Sequence, residues 1–239
     1  MAIPAKSILV MLMIAAGSAS HAGTSYDPNV QFDINNNPSA TGGWSYGSTD
    51  GLGGVFALLP TKLTTNPAFA GWTVSAQVSY PDIPKNISGA VYTDPNGGYF
   101  PKDAISLAPG QGSTTGFYAV IRWTTPVVGQ YAINSAFNGV WDHADSTGDV
   151  HILVNGVSIF DGSIDRQSST TYSGVSSLIA GNVVDFAAGQ HGTNVWVNSI
   201  LSATITAVPE PSEYALLLIG GCAIYLRKKC RKGRSVSDA

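Results

Sequence analysis

Between Val150 and Phe160 the chain has few options other than to fold back on itself. Val150-His151-Ile152-Leu153-Val154 is followed by Asn155-Gly156 and then by Val157-Ser158-Ile159-Phe160. Asn-Gly accepts the positive φ angles of a two-residue hairpin turn, and the flanking β-branched and aromatic residues fit a pleated surface. The spacing predicts a β-hairpin here. The same period of two recurs elsewhere. Phe117, Ala119, Ile121 and Trp123 share one face of a run that Pro126 ends. Extended character continues from Gln130 to Phe137. Val183-Val184-Asp185-Phe186 follows the turn Ala180-Gly181-Asn182. Thr193 to Ala207 gives a last strand or strand pair, with Trp196, Ile200 and Ile205 as core candidates. Upstream, Val55 to Leu59 and Trp72 to Val78 have strand character, and Asp94-Pro95-Asn96-Gly97-Gly98 is a loop. Many short strands between turns predict an all-β fold, a β-sandwich, with a jelly roll as the specific expectation.

The two ends follow other rules. Lys6, the apolar run Ile8 to Ala16 and the small residues of Ser20-His21-Ala22 predict a signal peptide over residues 1–22. Near the other terminus, Pro209-Glu210-Pro211 is stiff and extended, because proline fixes its own φ and keeps its predecessor out of the helical region. Tyr214 to Leu226 carries no charge, and six cations follow between Arg227 and Arg234. An uncharged stretch before a basic cluster predicts a single transmembrane helix (214–226) with a cytoplasmic tail (227–239). The helix is short: at 1.5 Å per residue it covers roughly 20 Å of a hydrocarbon core about 30 Å thick. Between the two signals, residues 23–207 form the expected extracytoplasmic β-sandwich.

That middle segment contains Lys62, Lys85, Lys102, Arg122 and Arg166 against twelve aspartates and no glutamate, a net charge of −7. Such a balance argues against nucleic acid as a partner. Scarce Lys and absent Glu, both good helix formers, argue against long solvent-facing helices. The chain's two cysteines, Cys222 and Cys230, lie beyond this segment, so it holds no internal disulfide and depends on its packed core.

The C-terminal arrangement resembles the PEP-CTERM sorting signal of Gram-negative bacteria. Pro209, Glu210 and Pro211 match its motif, Tyr214 to Leu226 its helix, and Arg227 to Arg234 its basic tail, although five residues follow Arg234. The resemblance implies recognition by an exosortase and release toward the cell surface or an exopolysaccharide matrix. Asn37-Pro38 with Gly43-Trp44-Ser45-Tyr46-Gly47 resembles the start of a block found in such proteins. Arg122 to Pro126, Gly129-Gln130-Tyr131, Val154-Asn155-Gly156 and Ala180 to Phe186 resemble its continuation. In strand layout that block is similar to jelly-roll carbohydrate-binding modules. Its motifs are strands and turns, so it implies fold more than function.

Chemistry-bearing patterns are few. Asp142, Asp145 and Asp149 crowd one segment and are the candidate calcium ligands, calcium being a hard cation that wants carboxylate and carbonyl oxygens. Their spacing is not that of an EF-hand, and an acidic turn using Asp for local hydrogen bonds is the more ordinary explanation of them. His143, His151 and His191 show no zinc spacing. Without Glu no glycosidase-like carboxylate pair stands out in the middle segment. Trp44, Tyr46, Tyr92, Tyr99 and Trp141 sit in turn-rich stretches and are the candidate sugar-stacking residues; capping the core is their other role. Together these features predict a secreted, exosortase-sorted surface or extracellular-matrix protein, non-enzymatic and associated with exopolysaccharide. A secreted polysaccharide-active enzyme and a protein-binding adhesin are the alternatives.

Overall fold

The computed structural model describes residues 23–75, 80–110, 118–143, 146–190 and 197–208. The expected signal peptide, Pro209-Glu210-Pro211, the membrane helix and the basic tail lie outside them, as do Phe117, Asp145, His191 and Trp196. By contact the chain divides into two units: Ser25–Thr206, and the ends Met1–Thr24 with Ala207–Ala239. Within the second unit, the Gly23 N–H donates to the Ala207 carbonyl at 3.2 Å and the Ala207 N–H to the Thr24 carbonyl at 3.0 Å.

The described residues contain strands and turns and no helix. In order the strands are β1 (Ser25–Tyr26), β2 (Trp44–Thr49), β3 (Ala57–Leu58), β4 (Thr61–Leu63), β5 (Phe69–Thr73), β6 (Asp82–Asn86), β7 (Tyr92–Thr93) and β8 (Tyr99–Phe100). They continue as β9 (Ile105–Leu107), β10 (Tyr118–Thr124), β11 (Gly129–Gly139), β12 (Thr147–Val154), β13 (Val157–Asp165), β14 (Ser169–Leu178), β15 (Val183–Gln190) and β16 (Ser199–Val208). Two sheets form a β-sandwich. The eight-stranded sheet runs β14-β11-β16-β9-β6-β5-β4, with β1 also paired to β16; the six-stranded sheet runs β13-β12-β15-β10-β2-β3. From β9 onward the chain passes repeatedly from one sheet to the other, so neighbours in a sheet are distant in sequence. β7 and β8 form a separate ribbon.

The expected hairpin forms β12 and β13. Asn155 and Gly156 take φ angles of 50° and 80°, the left-handed values that this turn requires. The alternation in β10 is also as expected: Ala119, Ile121 and Trp123 are fully buried between the sheets. Its opposite face is covered too. Val120, Leu153 and Ala187 form a second buried cluster, with Phe56 and Tyr118 packed against it. A strand buried on both faces loses its polar-out signature.

Trp44 and Tyr46 correct the expectation of exposed loop aromatics. Both lie on β2 with no accessible surface. The Trp44 indole N–H donates to Gln31 Oε1 at 2.9 Å. Asn37 clamps Tyr46: its Nδ2 donates to the Tyr46 and Leu59 carbonyls, and its Oδ1 accepts the Tyr46 N–H. Trp44 and Tyr46 are therefore core residues, together with Trp123, Tyr131, Phe137 and Phe186.

Candidate functional site

Two concavities carry the remaining candidates. The larger is a groove of about 880 Å³ on the outer face of the eight-stranded sheet. Its floor follows from strand alternation. On β11, Ile133 and Phe137 point into the core, so Asn134 and Asn138 point outward; on β16, Leu201, Ala203 and Ile205 are buried, leaving Ser202 and Thr204 outward. One wall is Tyr99, Pro101, Lys102 and Asp103. Phe100 is buried, so its neighbour Tyr99 faces away from the core and is 48 % exposed. The Tyr99 N–H donates to the Val140 carbonyl at 3.0 Å, which fixes the β8 backbone against the end of β11. The groove therefore offers two tyrosine rings, Tyr99 and the half-buried Tyr172, beside amides, hydroxyls, an ammonium and two carboxylates.

The smaller concavity is a cleft of about 190 Å³ beside the β5–β6 hairpin. Phe69, Tyr80, Tyr92, Phe100 and Trp141 supply its aromatic walls. Ring centroids are 5.0 Å apart for Phe69–Tyr92 and for Phe69–Phe100, and 6.0 Å for Phe100–Trp141, all edge-to-face. Trp141 is buried with Phe100, Val140 and Ile200, and its indole N–H donates to Asn198 Oδ1 at 3.2 Å. It contributes a wall and no free stacking face, which corrects its expected exposure. Gly98 makes that placement possible, because a Cβ there would sit 2.6 Å from the Trp141 ring. Tyr92 is half-buried, and its hydroxyl accepts from Asn66 Nδ2 at 3.2 Å.

Sequence patterning gave no sign of Asp82, which also lines the cleft. It is 6 % exposed, and its Oδ1 has no hydrogen-bond partner. Burial pushes its carboxyl well above the usual carboxylate range. An isolated Asp between prolines in a short strand has no distinguishing motif.

The two described members of the acidic cluster have different partners. Asp142 is exposed and pairs with Arg166 at 3.5 Å. Asp149 lies on β12 and accepts from the Tyr118 hydroxyl at 2.7 Å, while His151 Nε2 sits 3.0 Å from the same oxygen. His151 Nδ1 is 2.6 Å from Asp161 Oδ1, so each ring nitrogen faces a carboxylate. Among the described residues, no three His, Cys, Asp or Glu side chains are grouped so as to hold a metal ion.

No family model matches the chain, and no curated protein matches it in sequence. Solved structures with a similar trace include CBM51 from Clostridium perfringens GH95 in complex with methyl-galactose. It is 13 % identical with a TM-score of 0.36, over 54 % of this chain and 90 % of that one. Another is the CBM36-1 domain of a multidomain xylanase from the hindgut metagenome of Trinervitermes trinervoides, 12 % identical with a TM-score of 0.31, over 54 % and 98 %. A third is CBM35 from Cellvibrio japonicus Abf62, 13 % identical with a TM-score of 0.29, over 51 % and 83 %. At such identities and scores the likeness is one of coarse β-architecture only.

Proposed function

We propose that this is a non-enzymatic polysaccharide-binding protein of the cell surface or extracellular matrix, and that the groove beside Tyr99 is its binding surface. The observation that carries the reading is the composition of that groove. A half-exposed tyrosine stands next to Asn134, Asn138, Ser202 and Thr204, which project from two neighbouring strands. Pyranose rings present apolar C–H faces and a rim of hydroxyls; an aromatic ring meets the first and amides and hydroxyls meet the second. Such sites place a few polar groups around an apolar contact. The groove's two aspartates have local partners that suit a structural role. Asp27 Oδ1 accepts the N–H groups of Asn29 and Val30, and Asp103 lies 3.9 Å from Lys102 Nζ.

The interleaved order β14-β11-β16-β9 facing β13-β12-β15-β10 supports a jelly-roll reading of the sandwich. Export and sorting rest on the sequence of residues 1–22 and 208–239, with an exosortase as the processing partner and release from the inner membrane as the outcome.

Affinity electrophoresis of the full-length protein through gels containing a panel of soluble polysaccharides tests the binding claim. Retardation by at least one polysaccharide, lost in Tyr99→Ala and weakened in Asn134→Ala, is expected. No retardation across the panel, or retardation unchanged in both variants, sinks the assignment. Release of reducing ends from a retarding polysaccharide would favour the enzyme alternative.

A further inference from the structure

We propose that the cleft walled by Phe69, Tyr92, Phe100 and Trp141 binds a small organic ammonium group, with Asp82 as its counter-ion. The site is separate from the groove beside Tyr99, and the inference does not depend on that surface binding polysaccharide.

The first observation is the state of Asp82. Its side chain is buried, it lines the cleft, and its Oδ1 meets no donor. A buried polar oxygen without a partner is costly, and a buried charge without one costs more. The backbone holds it there. The Asp82 N–H donates to the Ala108 carbonyl at 2.9 Å, and the Ala108 N–H returns a bond to the Asp82 carbonyl at 3.0 Å. On its other side Asp82 pairs with Thr73 of β5. Bonds on both flanks fix the backbone that carries this carboxylate into the cleft.

The second observation is what surrounds it. Two carboxylates, Asp82 and Asp94, line the cleft, and among the described residues that line it there is no lysine, arginine or histidine. The remaining wall is largely aromatic, and aromatic π-systems attract cations held against them. A cation entering this space gains from the rings and gives Asp82 Oδ1 the partner it lacks. Thr65, on the rim, is exposed, so the cleft meets solvent.

Size and donor set narrow the class. About 190 Å³ accommodates one small ring or a methylated ammonium head and no polymer chain. A bare calcium or magnesium ion would need about six oxygen ligands or more. Of the two carboxylates, Asp94 Oδ1 already accepts the N–H and the Nδ2 of Asn96. A neutral sugar brings no positive charge to stabilise the ionised form of Asp82, whereas a cation does. The chemistry that fits is a protonated or quaternary amine on a compact carbon skeleton, such as an amino sugar or an alkylammonium.

The test uses the purified full-length protein with tetramethylammonium chloride and protonated glucosamine as probes. Glucose is the neutral control and calcium chloride the metal control. Binding is read from the Trp141 indole resonance, assigned with Trp141→Phe, and from the shift in melting temperature. The expected result is a saturable response to at least one cationic probe, weakened about tenfold or more in Asp82→Asn and in Tyr92→Leu. Asp82→Asn should itself melt no lower than wild type at neutral pH, since an amide of the same shape replaces a buried carboxyl that burial holds toward its neutral form. That melt also shows that the variant is folded. Absence of any response to both cations, an equal response to glucose, a response to calcium alone, or undiminished binding by folded Asp82→Asn would each overturn the proposal. Tyr99→Ala should leave the response to the cations unchanged, so failure here and failure of the groove are separable.

Discussion

Arg122 and Asp185 stand opposite each other on β10 and β15 and close a two-pronged ion pair, Nε to Oδ1 at 2.7 Å and Nη2 to Oδ2 at 2.8 Å. The guanidinium also lies 4.0 Å from the centre of the Phe56 ring. Asp185 is buried, so removing the arginine strands a carboxylate. Arg122→Met should therefore lower the unfolding free energy by about 3 kcal/mol, whereas Arg122→Met with Asp185→Leu should recover most of it. Urea unfolding of the three proteins measures this. A double variant no more stable than the single would show that the pair is not the source of the loss.

His151 gives the six-stranded sheet a pH dependence whose sign follows from its neighbours. Burial opposes the imidazolium, but hydrogen bonds and charge from Asp149 and Asp161 outweigh it and hold the pKa above its ordinary 6.5. A raised folded-state pKa contributes stability that is complete below 6.5 and is lost as pH rises through the folded value. Asp149 and Asp161 behave oppositely. Burial raises Asp149, yet bonds from His151 and Tyr118 pull it below 3.8; Asp161 is lowered by Ser158 and then His151. Their contribution is complete above 3.8 and is lost as pH falls through the lowered values. The cluster should stabilise most between these limits. The melting temperature of wild type should fall more from pH 6 to pH 9 than that of His151→Gln. Parallel curves for the two proteins would refute the linkage.

The legible parts of the fold were those where local chemistry and tertiary role agree. Asn155-Gly156 needs a particular turn, and Ala119, Ile121 and Trp123 face one core. What escaped was set by distant partners. β14 reads STTYSGVSSL, a composition that suits turns, yet it pairs along ten residues with β11 because an edge strand can be polar on both faces. Trp44 and Tyr46 sit in a turn-rich stretch, but pairing of β2 with β10 and the Asn37 clamp draw them inside. Of the five stacking candidates, Tyr99 is exposed and Tyr92 half-buried, whereas Trp44, Tyr46 and Trp141 are buried. Ring exposure depends on which strand lies opposite, and local composition does not encode that. Asp82 was invisible for the same reason: its significance is that its Oδ1 meets no donor in three dimensions.

The acidic segment yields a simpler expectation. Arg166 engages Asp142, and Tyr118 and His151 engage Asp149, so the two carboxylates already have separate protein partners. Any calcium ion bound to the native state would raise the melting temperature by mass action. Millimolar calcium, compared with chelator, should leave that temperature unchanged. A clear rise, abolished in Asp145→Asn, would instead establish the ion site.

Sorting offers the sharpest test of the chain's destination. The cations from Arg227 to Arg234 oppose transfer across the membrane, so translocation should stall there. The uncharged Tyr214 to Leu226 then rests in the bilayer. Pro209-Glu210-Pro211 stays extended just outside it, the form that an enzyme can bind along its backbone. Replacing these three residues with alanine should leave export intact and stop processing. The protein should then accumulate in the inner-membrane fraction with Cys222 and the basic tail still attached, as read by mass spectrometry. A triple variant that is cut and released like wild type would reduce the motif to coincidence and the C-terminus to a plain anchor. A variant that never leaves the cytoplasm would place the export information in the motif itself, contrary to the division of labour argued from the two ends.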